Sequence, residues 1–351
     1  MKILIFFTYN QGFLSSFFHE LSVKLAQEGH EMVCFSWKGS ESERMIDGVK
    51  VIVKKRNGYF ANYQSAYNII KKIEPDVILS NFSYVNPALL FGKLLGVDKN
   101  IVWFHSLNAQ TAATRMNILI KSFFLILSDV VIANSHHTKD ELSKVFRLPK
   151  TKIKTVPFWS SIVEKGDLKQ KRNNTEVKVK FGTPGRLVKH KNQRVVIKAL
   201  ANFKTEGYEY HIAGKGPDQD TLHQQAKQLG IDEHVIFRGH LSAEEMRDFY
   251  EEMDVIILPS LSEAFGLVFI EAISLGTPVI VSSQFGALTF IKNQKELEPI
   301  VFNPESSEEL EKKLVPYFQN KGLASDYFKN LYHNNFDKAI IFNQVRDILL
   351  H

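Results

Sequence analysis

Short apolar runs alternate along the whole chain with longer stretches of helical periodicity. Several of these runs are apolar on both faces, which is typical of parallel strands covered by helices. In the first half the strand-like runs are Lys2–Thr8, Glu31–Trp37, Val49–Lys55, Asp76–Ser80, Ile101–His105, Asp129–Asn134 and Ile153–Pro157. Helix-like stretches such as Leu14–Glu28 and Tyr63–Ile73 lie between most of them. This alternation predicts a doubly wound α/β fold built on a parallel sheet.

The alternation stops once and then restarts. Residues Val163–Val177, VEKGDLKQKRNNTEV, are polar and charged, which indicates a linker or loop at a domain boundary. After them the strand-like runs are Val179–Thr183, Tyr208–Ala213, His234–Arg238, Asp254–Leu258 and Pro278–Ser282. A length of 351 residues suits two domains of this kind. We therefore predict one domain over 1–162, a linker over 163–176 and a second domain over 177–333.

The positive charge of the chain is concentrated in its first half. The formal net charge is +6, and residues 1–160 hold 20 Lys/Arg against 12 Asp/Glu, whereas 161–351 hold 24 against 26. No nucleic-acid recognition motif accompanies the basic residues, which are dispersed among strands and loops. We expect residues 1–160 to associate with an anionic membrane surface or an anionic lipid-linked acceptor, and we expect no nucleic-acid partner.

Membrane-spanning and secretory segments are not expected from the sequence. The apolar run Ile118–Leu127 is too short to span a bilayer, and the amino-terminal MKILIFFTYNQG lacks a small-residue cleavage site. The single cysteine, Cys34, suits a reducing compartment. We therefore expect a cytoplasmic protein that is peripheral at the inner face of the plasma membrane. Met116–Leu127 is apolar almost all round, which favours either core packing or membrane docking.

Glycine and charged residues cluster after the strand-like runs of the second half. The loops are GTPGRLVKHKN after Val179–Phe181, GKGP after Tyr208–Ala213, RG after His234–Phe237, PSLSEAFG after Asp254–Leu258 and SSQFGA after Pro278–Val281. Ligands of open α/β sheets bind outside the carboxyl ends of the strands. The five loops therefore predict a binding site at that edge of the second domain.

The segment Ser260–Pro278 is the most informative of these regions. A helix is expected to begin near Phe265–Leu267, with free N–H groups that suit a phosphate or a sugar oxygen. Glu271 lies on a largely apolar face of that helix, where a vicinal diol is a natural partner for its carboxylate. Glu263 precedes the helix and would approach a second part of the same ligand. Alternatively, Glu263 caps the helix and Glu271 faces solvent.

Two cations lie five residues apart in the first of these loops. Arg186 and Lys191 would hold a diphosphate, the arginine as a chelating fork and the lysine as a point charge. The alternative is a solvated basic loop. In the next loop, Gly214 and Gly216 would allow the backbone to approach a ligand closely, although a tight turn explains them equally well.

Four motifs occur in order in the second half. They are GRL-x₃-K at Gly185–Lys191, G-x-GP at Gly214–Pro217, F-x-G at Phe237–Gly239 and E-x₇-E at Glu263–Glu271. PS precedes the first glutamate, FGL follows it, EA marks the second, and G-x-PVI comes after. This ordered set resembles glycosyltransferase family 4, also called the group 1 glycosyltransferases. The resemblance is strong over about 180–282 and looser in the first half.

The resemblance implies a fold, an activity and roles for residues of the second half. The fold is GT-B, two Rossmann-like doubly wound domains facing across a cleft, and the activity is retaining transfer from a nucleotide-sugar donor. Arg186 and Lys191 would bind the donor diphosphate, Glu271 the ribose hydroxyls, and Glu263 a hydroxyl of the transferred sugar. Arg238 and Gly239 would lie beside the base. The other implied donor-binding positions are Gly185, Gly216 and the backbone of Phe265, Gly266 and Leu267.

In the first half, the same resemblance implies that His105 lies near the reacting sugar. The alternative is that His105 is buried in the core. It also implies that Gly12 belongs to a loop near the donor phosphate and the acceptor. A terminal helix over about 334–351 would cross back to the first domain, with a hinge near Trp159–Lys171.

Two features bear on the donor site without adding to it. Where the family has paired glycines and a glutamate, this chain has Phe285-Gly286-Ala287, whose N–H groups at Gly286 or Ala287 would be the remaining donors to the sugar. Asp218-Gln219-Asp220 spells a D-x-D metal motif of another fold, but its position at a helix start favours N-capping. We expect no cofactor and no metal, since two cations and a helix N-terminus neutralise the diphosphate.

Two other functions remain open at this point. One is a sugar-nucleotide epimerase of GT-B fold or a phosphorylase, although E-x₇-E and the lack of a pyridoxal-phosphate lysine motif argue against both. The other is a non-catalytic glycosyltransferase-like subunit, which would have no need of Arg186, Lys191, Glu263 and Glu271. For an enzyme of cell-surface polysaccharide biosynthesis, the acceptor could be a lipid-linked oligosaccharide, lipopolysaccharide core, capsule repeat or teichoic-type polymer.

Overall fold

The computed structural model describes residues 1–10, 12–56, 58–105, 107, 114–162 and 178–351, which form two compact units. The first unit comprises Met1–Ser161 and Lys338–His351, and the second comprises Ile162–Asp337. The predicted linker 163–176 lies outside the described residues. Within those described ranges, no helix has the length and apolar character that a bilayer crossing requires.

The first unit is built on an eight-stranded sheet in the order β3-β4-β2-β1-β5-β6-β7-β8. The strands are β1 (Lys2–Phe6), β2 (Glu31–Ser36), β3 (Ser42–Ile46), β4 (Val49–Val53), β5 (Val77–Asn81), β6 (Lys99–Phe104), β7 (Val130–Ala133) and β8 (Ile153–Thr155). All neighbouring strands are parallel except β3, which runs antiparallel to β4. The parallel, doubly wound fold predicted from the apolar runs is confirmed for this unit.

Strand β3 is absent from the sequence prediction. Its residues Ser42–Ile46, SERMI, are mostly exposed because the strand lies at the edge of the sheet. An edge strand with little buried surface needs no apolar pattern, so periodicity gives no signal for it.

Helices cover both faces of this sheet. They are α1 (Phe13–Gln27), α2 (Tyr59–Ile73), α3 (Val85–Leu94), α4 (Arg115–Ile126), α5 (His136–Lys144) and α12 (Lys338–Leu350). Helix α1 buries Phe17, Phe18, Leu21 and Leu25, whose spacing places them on one face. Helix α3 packs against both α2 and α4, so these three helices form one layer.

Glu20 joins the two segments of the first unit. Its carboxylate accepts hydrogen bonds from Trp159 at 2.9 Å and Ser161 at 3.0 Å, and it pairs with Lys338 of α12 at 2.7 Å. Burial alone would raise the pKa of Glu20, but these hydrogen bonds hold it below its ordinary value. Trp159 is fully buried; the hinge expected near Trp159–Lys171 stays a prediction, since residues 163–177 lie outside the described part of the chain.

The second unit has a six-stranded parallel sheet in the order β11-β10-β9-β12-β13-β14. The strands are β9 (Val179–Pro184), β10 (Tyr208–Ala213), β11 (Val235–Gly239), β12 (Val255–Leu258), β13 (Val279–Ser282) and β14 (Val301–Phe302). The helices are α6 (Gln193–Leu200), α7 (Gln219–Gln228), α8 (Ala243–Glu252), α9 (Leu267–Ser274), α10 (Ser307–Phe318) and α11 (Ser325–Asn335). One core cluster, whose members lie between Phe181 and Leu314 in the sequence, packs between the sheet and the helices. The fold class predicted for the second half is thereby confirmed.

Candidate functional site

The loops after β9, β12 and β13 are tied together at the carboxyl edge of the second unit's sheet. The N–H of Leu261 donates to the carbonyl of His190 at 2.8 Å, and the N–H of Gly286 donates to the carbonyl of Glu263 at 3.1 Å. Parallel strands deliver their following loops to the same edge. Residues that are far apart in the sequence therefore meet there.

Lys191 and Glu263 form an ion pair across two of these loops, with Nζ against Oε2. Their side chains are only 18% and 13% exposed, so the pair is screened less than a surface pair would be. The helix that follows Glu263 has Gly266 at its N-cap and no side-chain cap. The alternative that Glu263 caps this helix is therefore wrong, and the structure brings together two residues predicted for the same ligand.

Arg186 adds a second, exposed cation to this edge. Among the residues with described positions, no carboxylate pairs with it. His190 reports on the local charge: burial lowers its pKa, and the positive charges of Lys191 and Arg186 lower it further. The loop after β9 is thus an electropositive segment suited to an anion such as a diphosphate.

Helix α9 points its N-terminus into the same edge. Gly266 has φ of 95°, and a Cβ there would overlap the ring of Phe285, so both backbone conformation and packing require glycine. Across the described ranges, nothing accepts from the N–H groups of Leu267 and Val268. The predicted helix start near Phe265–Leu267 is confirmed, and with it a pair of N–H donors for an anion or a hydroxyl.

The N–H groups of Gly286 and Ala287 are not available in the same way. They donate to the carbonyls of Glu263, at 3.1 Å, and Phe265, at 2.8 Å. The expectation that they contact the donor sugar is therefore wrong. These bonds instead hold the loop that carries Glu263 against the loop after β13.

Glu271 lies half-buried on α9, and Tyr250 of α8 donates a 2.5 Å hydrogen bond to its Oε2. Burial raises the pKa of Glu271 to about 7, while the hydrogen bond from Tyr250 acts in the opposite direction. A solvent-facing Glu271 is thereby ruled out. Tyr250 was missed in the sequence because FYEEMDV reads as an ordinary core aromatic on an amphipathic helix.

The glycines after β10 lie against the loop that follows β9. A Cβ at Gly214 would overlap the carbonyl of Gly185, and one at Gly216 would overlap the backbone of Leu187. Their missing side chains make room for the neighbouring loop. Close packing of two loops therefore explains both glycines, and the loop of Gly216 supports the one that carries Arg186.

Arg238 is directed away from the carboxyl edge. Its guanidinium pairs with Glu252 at 2.9 Å and lies 3.2 Å from Nδ1 of His211. Glu252 ends α8, which leads into the start of β12, and it also pairs with Lys180 near the start of β9. The Arg238 side chain is therefore held toward the amino ends of the strands, away from the edge where the resemblance would have it lie beside the base.

The D-x-D sequence lies at the start of α7. Asp218 is the N-cap residue of this helix, as predicted, although its side chain makes no capping hydrogen bond. Among the described residues, no group of three or more His, Cys, Asp and Glu side chains could hold a metal ion.

In the first unit, His105 follows β6 and contacts Asn81. The Asn81 amide donates to the carbonyl of Phe6 at 3.0 Å, which turns its oxygen toward Nε2 of His105 at 2.5 Å. Nε2 must therefore carry the proton. Nδ1 is buried, and among the described residues no hydrogen-bond partner faces it.

The surroundings of His105 keep it neutral. Burial lowers the pKa of His105 to about 3, and Lys121 acts in the same direction. Four aromatic rings contact the imidazole, those of Phe18, Phe82, Trp103 and Phe158. His105 is therefore a neutral, oriented imidazole within an aromatic wall, and the nitrogen that can accept a hydrogen bond, Nδ1, is the buried one.

Gly12 forms the N-cap of α1. Its N–H donates to Oδ1 of Asn10 at 2.9 Å, and its carbonyl accepts from the N–H of Ser16 at 3.1 Å. Both polar backbone groups are thus used locally. Any role of Gly12 toward a phosphate would require the Asn10 bond to be exchanged.

Two family models match consecutive parts of the chain. Residues 14–158 match the model described as Glycosyltransferase Family 4, and residues 164–333 match the model described as Glycosyl transferases group 1. Each covers one of the two α/β halves. The sequence similarity therefore extends to the first half, where the motifs alone were looser.

Individual relatives agree with these models. An uncharacterised glycosyltransferase of Methanocaldococcus jannaschii is 30% identical over 174 residues, which is 47% of this chain but only 45% of that protein. Alpha-monoglucosyldiacylglycerol synthase of Streptococcus pneumoniae is 24% identical over 91% of this chain and 83% of its own length. The crystal structure of Anabaena HepE in complex with UDP and glucose has a TM-score of 0.79 at 18% identity and covers 99% of both chains. At that identity the structural likeness shows the fold, which is GT-B.

Proposed function

Because the chain belongs to the group 1 glycosyltransferases, we propose that it transfers a sugar, with retention at C1, from a nucleoside diphosphate sugar to a glycan or lipid-linked acceptor in cell-surface polysaccharide biosynthesis. The observation that carries the proposal is the convergence at one sheet edge of Arg186, the Lys191–Glu263 pair, the α9 N-terminus and Glu271. A cationic loop beside a helix N-terminus suits the diphosphate, and a half-buried carboxylate suits a diol.

Each group of this edge has a place in the reaction. Arg186, Lys191 and the N–H groups at the start of α9 bind the diphosphate and stabilise the charge that grows on it as the C1–O bond breaks. Glu271 accepts hydrogen bonds from the ribose hydroxyls, and Glu263 from a hydroxyl of the transferred sugar. The acceptor oxygen attacks C1 from the face that the phosphate leaves, and its proton passes to the departing phosphate oxygen. The scheme uses no covalent nucleophile on the protein.

The resemblance gives His105 a role near the reacting sugar, and that role remains a proposal. Asn81 fixes the proton of His105 on Nε2, so only Nδ1 can accept from a substrate hydroxyl, and the buried Nδ1 would first have to become accessible. The proposed site neutralises the diphosphate without a metal ion. Since fixed cations and N–H dipoles supply the positive charge, we expect transfer to proceed unchanged in the presence of EDTA.

The test is transfer by the purified full chain with a panel of nucleoside diphosphate sugars and lipid extracts as acceptors. Transfer that Arg186→Ala and Glu271→Ala both abolish supports the proposal. Conversion of the donor sugar into its epimer without acceptor would instead identify an epimerase. Nucleotide binding with no turnover on any acceptor would favour a non-catalytic subunit, and full transfer by both variants would overturn the site.

We further propose that the first unit docks on an anionic membrane through the apolar face of α4, formed by Met116, Leu119, Ile120, Phe123 and Ile126. These side chains recur at helical spacing and are 43% to 64% exposed. The opposite side of α4 packs on the core through Leu125. The core-packing interpretation of this segment therefore holds for one side of the helix only.

The charges around the apolar face of α4 favour an anionic lipid surface as its partner. The layer formed by α2, α3 and α4 contains five Lys/Arg and no Asp/Glu. At the start of α2, exposed Tyr59 and Phe60 follow the exposed cations of 54–56. Apolar side chains flanked by cations and tyrosine are typical of helices that lie in an anionic lipid interface. The diacylglycerol in the name of the Streptococcus relative is consistent with an acceptor held in such a surface.

Vesicle flotation tests the membrane proposal. Full-length protein should float with phosphatidylcholine vesicles that contain phosphatidylglycerol and should be released by high salt, since salt screens the cationic term. Equal binding to neutral vesicles would contradict the role of charge. A concentration-dependent dimer that floats with neither would instead assign the apolar face of α4 to a second copy of the chain.

A further inference from the structure

Tyr250 is a buried tyrosine whose hydroxyl and carbonyl groups both form hydrogen bonds with the segment around α9. Its side chain is fully buried on α8, and its hydroxyl donates to Oε2 of Glu271 at 2.5 Å. Its carbonyl accepts from the hydroxyl of Thr277, just beyond the end of α9, at 2.9 Å. Thr277 is itself buried. The tyrosine is thus held by a second contact while its hydroxyl reaches Glu271.

The contact occupies only one of the two carboxylate oxygens. Among the described residues, no donor reaches Oε1 of Glu271. An ionised carboxylate accepts several hydrogen bonds, about four over its two oxygens. Oε1 is therefore left for a ligand, and the orientation of the carboxylate is set by the bond to Oε2.

We propose that Tyr250 is a positioning residue for donor recognition, which fixes Oε2 of Glu271 so that Oε1 is presented to the ribose hydroxyls of the nucleotide. This inference rests on the proposed function, since it assumes that the ligand of Glu271 is a nucleoside diphosphate. Tyr250 acts only through Glu271 and does not itself touch the ligand. The hydrogen bonds to Glu271 and from Thr277 together distinguish Tyr250 from a tyrosine that only fills the core.

The pKa of Glu271 predicts how this role would appear in the pH dependence of nucleotide binding. Burial raises the pKa of Glu271 to about 7, and the Tyr250 hydrogen bond is what counteracts the rise. From the other elements around α9, no charged side chain of the described residues contributes to this shift; Lys329 of α11 lies against Gly276 instead. A diol donates to the ionised form, so nucleotide affinity should increase as the pH rises through 7. Without the tyrosine hydroxyl the pKa rises further, and the affinity profile must move to higher pH.

The experiment measures binding of UDP, GDP and ADP to the full chain by calorimetry from pH 6 to pH 9. The diphosphate that binds most tightly is then titrated into Tyr250→Phe, with Tyr210→Phe as the matched control. Tyr210 is equally buried in the same unit, but its hydroxyl bonds to Thr183 at 2.9 Å and to no carboxylate. Tyr250→Phe should weaken binding at pH 7 about 10-fold, as expected for a hydrogen bond to a charged group. It should also move the midpoint of the profile upward, whereas Tyr210→Phe should leave the midpoint in place.

A second readout uses the 2′-deoxy form of the same diphosphate. The wild type should bind the deoxy form more weakly than the ribo form, and Tyr250→Phe should discriminate less between them. If Tyr250→Phe weakens both forms equally with the wild-type midpoint, its role is structural and the inference is overturned. If the wild type binds none of the three diphosphates at any pH, the proposed function and this inference fail together. Glu271→Gln should reduce the pH dependence to that of the ionisation of the diphosphate itself; a wild-type midpoint in Glu271→Gln would show that Glu271 is not the titrating group and would overturn the inference.

Discussion

The two units share the same alternation of strands and helices, yet they arrange their charges in opposite ways. In the second unit cations and carboxylates converge on one sheet edge, where Lys191 meets Glu263. In the first unit the helical layer α2–α4 carries no acid and exposes the apolar face of α4. The second unit, 162–337, has no cationic excess, with 22 Lys/Arg against 25 Asp/Glu. In the proposed function, anion recognition therefore follows from the placement of single cations, whereas bulk charge indicates an extended surface.

The largest expected effect is the loss of one placed cation from the second unit. Lys191→Ala should lower kcat for sugar transfer by about 100- to 1,000-fold, since one fixed group that stabilises the leaving charge is lost. Lys189→Ala, an exposed lysine in the same turn, should stay near the wild-type rate. Equal losses for the two variants, measured in single-turnover assays, would mean that bulk charge rather than placement binds the donor.

The second effect concerns the first unit. Phe123 is 63% exposed on α4, and moving a phenyl side chain out of an apolar phase costs about 1.5–3 kcal/mol. Phe123→Ser should therefore reduce partitioning into anionic vesicles by about 10- to 100-fold. Leu229→Ser, at an exposed leucine of the second unit, is the control, and a similar loss there would break the contrast between the units.

A smaller effect is a dependence of stability on pH. The pKa of His105 is lowered to about 3 in the folded chain, against about 6.5 when unfolded. Below pH 6.5 the unfolded state binds a proton that the folded state does not, so stability falls as the pH drops, by up to ~1.4 kcal/mol per pH unit. All three tryptophans, at 37, 103 and 159, lie in the first unit, so their fluorescence reports its unfolding.

Urea denaturation at pH 7, 6 and 5 checks this expectation. His105→Gln should remove part of the slope of the unfolding free energy against pH, even if it lowers stability at every pH. His137→Gln, at an exposed histidine that starts α5, should retain the wild-type slope. An unchanged slope in His105→Gln would show that the buried imidazole does not stay neutral.

The smallest effect tests the position of the Arg238 side chain. Arg238→Ala should leave nucleoside diphosphate affinity within about twofold of the wild type, because the guanidinium is held by Glu252. Stability should fall by only about 0.2–1 kcal/mol, the usual value of a pair of this exposure. A 10-fold loss of affinity in calorimetry would instead return Arg238 to the base side of the donor site.

Periodicity was sufficient for both sheets because their central strands are buried on both faces and must be apolar. It failed for Ser42–Ile46, since an exposed edge strand carries no such pattern. Motif spacing identified Lys191 and Glu263, whose chemistry is local to their loops. It could not identify Tyr250, Asn81 or the packing of Gly216, because each depends on a contact between residues distant in the sequence. The direction of the Arg238 side chain was missed for a related reason: sequence position fixes the Cα, while a long side chain follows its nearest carboxylate.

The composition of the first unit from two chain segments has a consequence for biosynthesis. Helix α12 contributes the buried residues Ile341, Val345 and Leu349, and its Lys338 completes the contacts of Glu20. During translation, residues 1–161 emerge early but lack this helix until 338–351 have been made. The continuous segment 162–337 is complete before that moment. The unit encoded first is thus the one that finishes folding last. An interrupted translation product would carry a complete second unit beside an incomplete first unit.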